Sequence, residues 1–257
     1  GTCSGTEPMP GRGHVSLAVE TGGGVYVFDA GENCSYAAHL AGIDLLAVRA
    51  IFITHTHMDH IGGLPNLLAT MGKLTHVTEA APHGLVGKTV PILIPDLAIW
   101  DGVRRMLGYG PKGPGTDYVL DAHEYEDGEV FNDGCLCVRA LHNEHLGTPE
   151  QGARWRCFSY RVEAEGKSFV YSGDVKHVSE LAPLVGSGCE LLLMETGHHV
   201  IPEVCEYLRG SGWSIGRIAF IHHGRATLAD PTGQGEQGAR ILGRDVLVTT
   251  DGMTMEL

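Results

Sequence analysis

The spacing of apolar and polar positions changes along the chain, and each change predicts an element. Residues 48–53 form an apolar run that predicts a buried strand. Gly62-Gly63 and the apolar positions of 64–71 predict a turn into a helix. Earlier, 14–20 and 25–29 alternate around Thr21-Gly22-Gly23-Gly24, the pattern of a hairpin, and 33–42 follows as a helix. Residues 72–89, with His76 and His83, predict a loop, and 90–94 a short strand. Leu97, Trp100, Val103, Arg104 and Leu107 recur at helical spacing, so 96–107 predicts an amphipathic helix, closed by a glycine- and proline-rich loop at 108–115.

The second half repeats the scheme. Strands are expected at 129–131 and 135–141 around Asn132-Asp133-Gly134, then a polar loop at 147–156 and a hairpin of 157–163 with 167–172. A short helix at 177–185, a buried strand at 190–194, a helix at 201–209 and a strand at 215–221 follow. A helix at 227–242 and a strand at 246–249 close the pattern. Strands and helices thus alternate in two successive runs with no long linker. The expectation is an α/β fold in one domain, residues 1–257.

Composition narrows the picture. With 43% hydrophobic and 19% charged residues, the 257-residue chain buries a proper core. Its formal net charge of −13 disfavours a nucleic-acid surface and an anionic membrane surface, though a local basic patch is compatible with it. Seven cysteines, odd in number and scattered, make no disulfide framework, so the cytoplasm is the default compartment. Cys135-x-Cys137 lacks the spacing of a metal knuckle, and Cys34 reads as a small buried hydrophobe. No run reaches the length of a membrane span and no signal peptide is visible. The abrupt opening Gly1-Thr2-Cys3, as if a preceding strand or leader were absent, constrains targeting only weakly.

Candidate chemistry concentrates directly after the 48–53 strand. His55-Thr56-His57-Met58-Asp59-His60 places four potential metal ligands in six residues at the carboxyl end of a strand, where open α/β sheets place their sites. His55 and His57 suit one centre, Asp59 and His60 a second beside it. Imidazoles with a carboxylate suit zinc, with manganese or iron as alternatives. Other strand ends carry His142 and His145, Asp174, Glu195 with His198 and His199, and His222 with His223. Asp29 ends the 25–29 strand, either supporting the ligand loop or capping the 33–42 helix. Arg154, Arg156 and Arg225 are the cations that local substrate charge would find, or solvated surface residues.

The hexapeptide resembles the H-x-H-x-D-H signature of the metallo-β-lactamase superfamily. Gly1-Thr2-Cys3-Ser4, the Ser172-Gly173-Asp174 turn and the Asp251-Gly252-Met253 ending are similar to landmarks of its ribonuclease Z-like, phosphodiesterase-like branch. That resemblance implies a four-layer αβ/βα sandwich, two mainly β sheets flanked by helices. It implies two divalent ions, zinc first: His55, His57 and His145 (or His142) on one, Asp59, His60 and His222 (or His223) on the other, Asp174 bridging. Asp59, Asp174, Glu195 and His198 are the expected catalytic residues. Glu195 matches the glutamate of the branch's H-E-A-T motif, but Met194 stands in place of its histidine, so His198 or His199 would have to replace it.

The implied activity is hydrolysis by a water deprotonated near neutral pH, acting on a phosphoester. Alternatives are a lactonase or thioesterase, a transfer-RNA 3′ processing endonuclease, and a metal or ligand sensor with little turnover. The net charge, Met194 and the lack of a visible RNA-gripping arm favour a small anionic ester over nucleic acid. The expected partners are therefore that ester and no membrane, with a homodimer allowed.

Overall fold

The computed structural model describes residues 1–5, 9–77, 84–110 and 118–257. Its contacts divide the chain into two compact units, one of Gly1 with 13–125, the other of 2–12 with 126–257.

The first unit holds a mixed five-stranded sheet in sequence order: β1 (Leu17–Thr21), β2 (Gly24–Phe28), β3 (Val48–Phe52), β4 (Thr89–Leu93) and β5 (Val119–His123). β1 and β2 form the expected antiparallel hairpin, and β2 to β5 run parallel. Its helices are α1 (Cys34–Leu40), α2 (Met58–Ile61), α3 (Leu64–Val77) and α4 (Leu97–Met106). Ile51 from the sheet, Ile53 just after β3, and Leu64, Leu67, Leu68 and Met71 from α3 are buried in one cluster. Each such side chain contributes roughly 1.5–3 kcal/mol. Asp96 caps α4 by accepting from the Ala98 N–H at 2.9 Å.

Three expectations are corrected in this unit and the next. The 72–89 stretch begins as helix, because α3 continues past Gly72 to Val77. Gly72 is not a stop there: it leaves room for the Tyr109 hydroxyl, 3.3 Å from where a Cβ would stand. Strand β5 escaped the pattern because only Leu120 of its five residues is buried and Asp121 and His123 interrupt its apolar run. The 227–242 helix is two helices, α7 (Arg225–Ala229) and α8 (Pro231–Leu242). Asp230, forced out of the helical region by the proline after it, has φ −150° and caps α8 through the Gly233 N–H. His83 and the loop positions 111–115 lie outside the described residues.

The second unit carries a seven-stranded sheet in the order β12-β11-β10-β9-β8-β7-β6. These are β6 (Gly128–Asn132), β7 (Leu136–His142), β8 (Phe158–Ala164), β9 (Lys167–Tyr171), β10 (Cys189–Thr196), β11 (Ile215–His223) and β12 (Leu247–Val248). β6 to β9 pair antiparallel, and β9 to β12 parallel. Thus β7, β9, β10 and β11 point the same way, and their carboxyl ends share one edge. α5 (Ala182–Val185), α6 (Ile201–Ser211), α7 and α8 complete the unit. Leu192, Met194, Ile218 and Phe220 pack with Ile201, Val204 and Cys205 of α6.

Residues 2–12 belong to this unit although 113 residues of the other follow them (13–125). Cys3 bridges His223 in parallel, the Ser4 N–H donates to the His223 carbonyl and the His223 N–H to that of Thr2. Thr2 Oγ1 bonds Asp251 at 2.6 Å. Among the described residues no helix is long and apolar enough to cross a membrane.

Candidate metal centre

In the first unit the ligand loop leaves β3 at Thr54. Asp29, buried at the end of β2, organises it. Its carboxylate accepts from the Thr54 N–H at 2.8 Å and the Thr54 hydroxyl at 2.9 Å, and it meets His60 Nδ1 at 2.8 Å. A carboxylate at Nδ1 fixes that nitrogen as donor and leaves Nε2 with the lone pair, the state a metal ligand needs. Asp29 therefore supports the loop and caps no helix; α1 begins after Asn33. Thr54 Oγ1 holds His55 Nδ1 at 3.1 Å in the same manner.

The ring centroids of His55 and His57 are 4.6 Å apart, those of His55 and His60 4.0 Å. His60 Nε2 lies 3.7 Å from an Asp59 oxygen. His55, Asp59 and His60 are buried. Glycine makes this packing possible: a methyl on Gly31 would overlap the Asp59 carbonyl oxygen, and one on Gly63 the Gly31 carbonyl oxygen.

In the second unit four strand ends converge. Asp174 follows β9, 1% exposed, with His145 Nε2 3.6 Å and His198 Nδ1 3.7 Å from one oxygen and His222 Nδ1 3.3 Å from the other. Glu195 lies on β10 itself, one strand residue further than the pattern suggested, where the ladder shifts register before Thr196. It accepts from the His198 N–H at 2.9 Å and meets His198 Nδ1 at 3.1 Å. Asp174, Glu195, His198 and His222 each bring one donor atom within 4.8 Å of the others.

Burial alone raises the Glu195 carboxyl, but hydrogen bonds and charge from His198 and His222 outweigh it and hold the group below the usual carboxylate range. The Glu195 hydrogen bond raises His198, against the opposing effect of burial.

The members of each open pair have different partners. His222, at φ +54° and 2% exposed, turns to Asp174, whereas His223 bonds Thr196 Oγ1 through Nδ1 and the Thr249 carbonyl through Nε2, both at 2.9 Å. His145 faces Asp174, whereas His142 Nδ1 bonds Asp127 at 2.7 Å. His199 bonds the Val175 carbonyl at 3.0 Å and leaves His198 nearer Glu195. Cys135 and Cys137 are free thiols. Sequence reasoning did not find Thr54 or Thr196, since a lone threonine at a strand end has no spacing signal.

The donor set fits divalent metal. Two buried carboxylates among imidazoles would be costly without a cation, and nitrogen with carboxylate oxygen is the set zinc or manganese takes.

The chain is similar to known proteins. The family profile described as "Beta-lactamase superfamily domain" matches residues 26–223. A ribonuclease Z of Picrophilus torridus is 35% identical over 221 residues, 75% of this chain and 70% of that one. A ribonuclease Z of Mycolicibacterium paratuberculosis is 24% identical over 259 residues, 93% and 88% of the two chains. The metallo-beta-lactamase fold protein YhfI of Bacillus subtilis superposes with a TM-score of 0.75 at 14% identity, covering 98% of this chain and 95% of its own. That likeness shows the fold, two mixed sheets flanked by helices, as the hexapeptide implied. The preference for a small anionic ester over nucleic acid is overturned, because the relatives matching most of the chain are named ribonucleases. Net charge misled because it sums the whole surface, whereas a phosphate meets only the local field.

Proposed function

The chain belongs to the β-lactamase superfamily as a metal-dependent hydrolase, and we propose that it holds two divalent ions, zinc first, and hydrolyses phosphodiester bonds in RNA. The observation that carries the metal reading is the cluster of buried Asp174, Glu195 and His222 with the exposed His198, whose donor atoms lie within 4.8 Å of one another. The ribonuclease names of the relatives support the substrate class. The proposed ligands are His55, His57, Asp59 and His60 of the first unit and His145, Asp174 and His222 of the second. Bound divalent ions supply positive charge to phosphate oxygens and bring the pKa of water from about 15.7 to about 7.

The chain's own residues do the rest. Asp29 and Thr54 hold His60 and His55 with Nε2 available. Asp59 and Asp174 are the carboxylates proposed to orient the attacking water. Glu195 holds His198 through Nδ1, and its hydrogen bond raises the imidazole. A proton at Nε2 of His198 is then the one proposed to pass to the leaving oxygen, the role Met194 lacks a group to perform.

The test is cleavage of a 3′-extended precursor transfer RNA by zinc-loaded protein, with metal content measured on the same sample. We expect close to two ions per chain and RNA hydrolysis that chelator abolishes. Protein that carries no metal after metal-replete expression, or that is fully loaded and leaves RNA uncut, would refute the proposal.

A further inference from the structure

The connection that carries His145 also carries a ring stacked on the last residue of β7. Trp155 and His142 lie with centroids 4.0 Å apart and planes 20° from parallel. Asp127 fixes the imidazole, accepting from the His142 N–H and meeting Nδ1, each at 2.7 Å. Arg154 is clamped on Glu126 by Nε at 3.1 Å and a terminal nitrogen at 2.8 Å. Both stacked residues keep part of their surface exposed, and neither belongs to the hydrophobic clusters of the two units. A tryptophan outside the core, on a polar loop, backed by a ring that a carboxylate holds still, is a preorganised flat surface.

Its place follows from the ladder. β7 and β8 end at the pair His142 and Phe158. His145 stands three residues beyond one stem, and Trp155 three before the other. Three residues span at most about 11 Å, so the platform sits within that reach of His145 along the chain.

We propose that Trp155, backed by His142, stacks a nucleobase of a single-stranded part of the RNA, next to the bond that is cut. This rests on the RNA reading above. Every base has a π-face, so the contact is sequence-tolerant. Glu126 balances Arg154 beside the rings, so recognition falls on the base face and survives added salt, unlike a phosphate contact.

A short 2′-O-methyl oligoadenylate, which resists cleavage, tests this by fluorescence polarisation with the full chain, W155A and W155F. W155A should bind about ten-fold or more weakly at low and high salt alike. W155F should keep most of the affinity, with circular dichroism confirming that both variants fold. In RNA cleavage, W155A should raise KM and leave kcat nearly unchanged. Equal binding by W155A, or no binding by the parent, overturns the platform. A parent that binds through Trp155 but cuts no RNA removes the hydrolytic reading and leaves the platform standing.

Discussion

Four non-glycine residues among those described have positive φ, and two of them are Asp29, which supports the ligand loop of the first unit, and His222, which faces Asp174 in the second. Such backbone is held only where the surroundings over-determine it, and it gathers at functional sites. Adjacent His222 and His223 therefore separate by experiment. His222→Ala should lose metal and activity beyond the about 10–100-fold typical of an outer-shell change, with the fold retained. His223→Ala should keep its metal and lose about 1–3 kcal/mol in urea unfolding, since Thr196 and the Thr249 carbonyl lose a buried partner. The opposite assignment of losses would exchange their roles. This distinction was not legible beforehand: two neighbouring histidines look alike in sequence, and only the φ of +54° at His222 sends them to different partners.

Elements were read best where a single physical rule governs them. β3 and the turn after β6 follow from an apolar run and from Asn132-Asp133-Gly134, and α4 from its spacing and its Asp96 cap. Long-range packing hid the rest. Gly72 reads as a breaker until Tyr109 arrives from a distant segment, and β5 is too exposed to declare itself. The ligand loop shows the same dependence. Gly31 reads as a strand terminator, yet its lack of a Cβ is what admits Asp59. Gly31→Ala should lower metal content per chain and cost about 1–3 kcal/mol by overpacking. A variant that keeps both parental metal content and its urea midpoint would show that the loop adapts and that this close approach is incidental.

Across the whole molecule none of the seven cysteines forms a disulfide. Burial pushes Cys34, Cys189 and Cys205 up to about 11, and burial together with Glu129 and Glu163 does the same for Cys137. A raised thiol stays protonated at pH 8, and its thiolate appears only as pH climbs toward that value. From an ordinary 9.0, the reactive population at those four drops about 100-fold. Native protein exposed to iodoacetamide at pH 8 should leave Cys137 unmodified long after a denatured control is fully labelled, as peptide mass analysis will show. Rapid native labelling of Cys137 would contradict that ordering.

The segment 2–12 gives this architecture an order in time. Residues 13–125 emerge from the ribosome as one uninterrupted unit, free to fold as domains generally do, first made first. The other unit is divided by it in sequence, so Thr2, made before residues 13–125, waits for Asp251, made after them. The Thr2 carbonyl that receives the His223 N–H is likewise translated before residues 13–125, and His223 after them. The half carrying Asp174 and His222 therefore closes only after residues 13–125 are made, and a nascent chain stalled before residue 222 exposes Asp174 without the His222 imidazole that faces it.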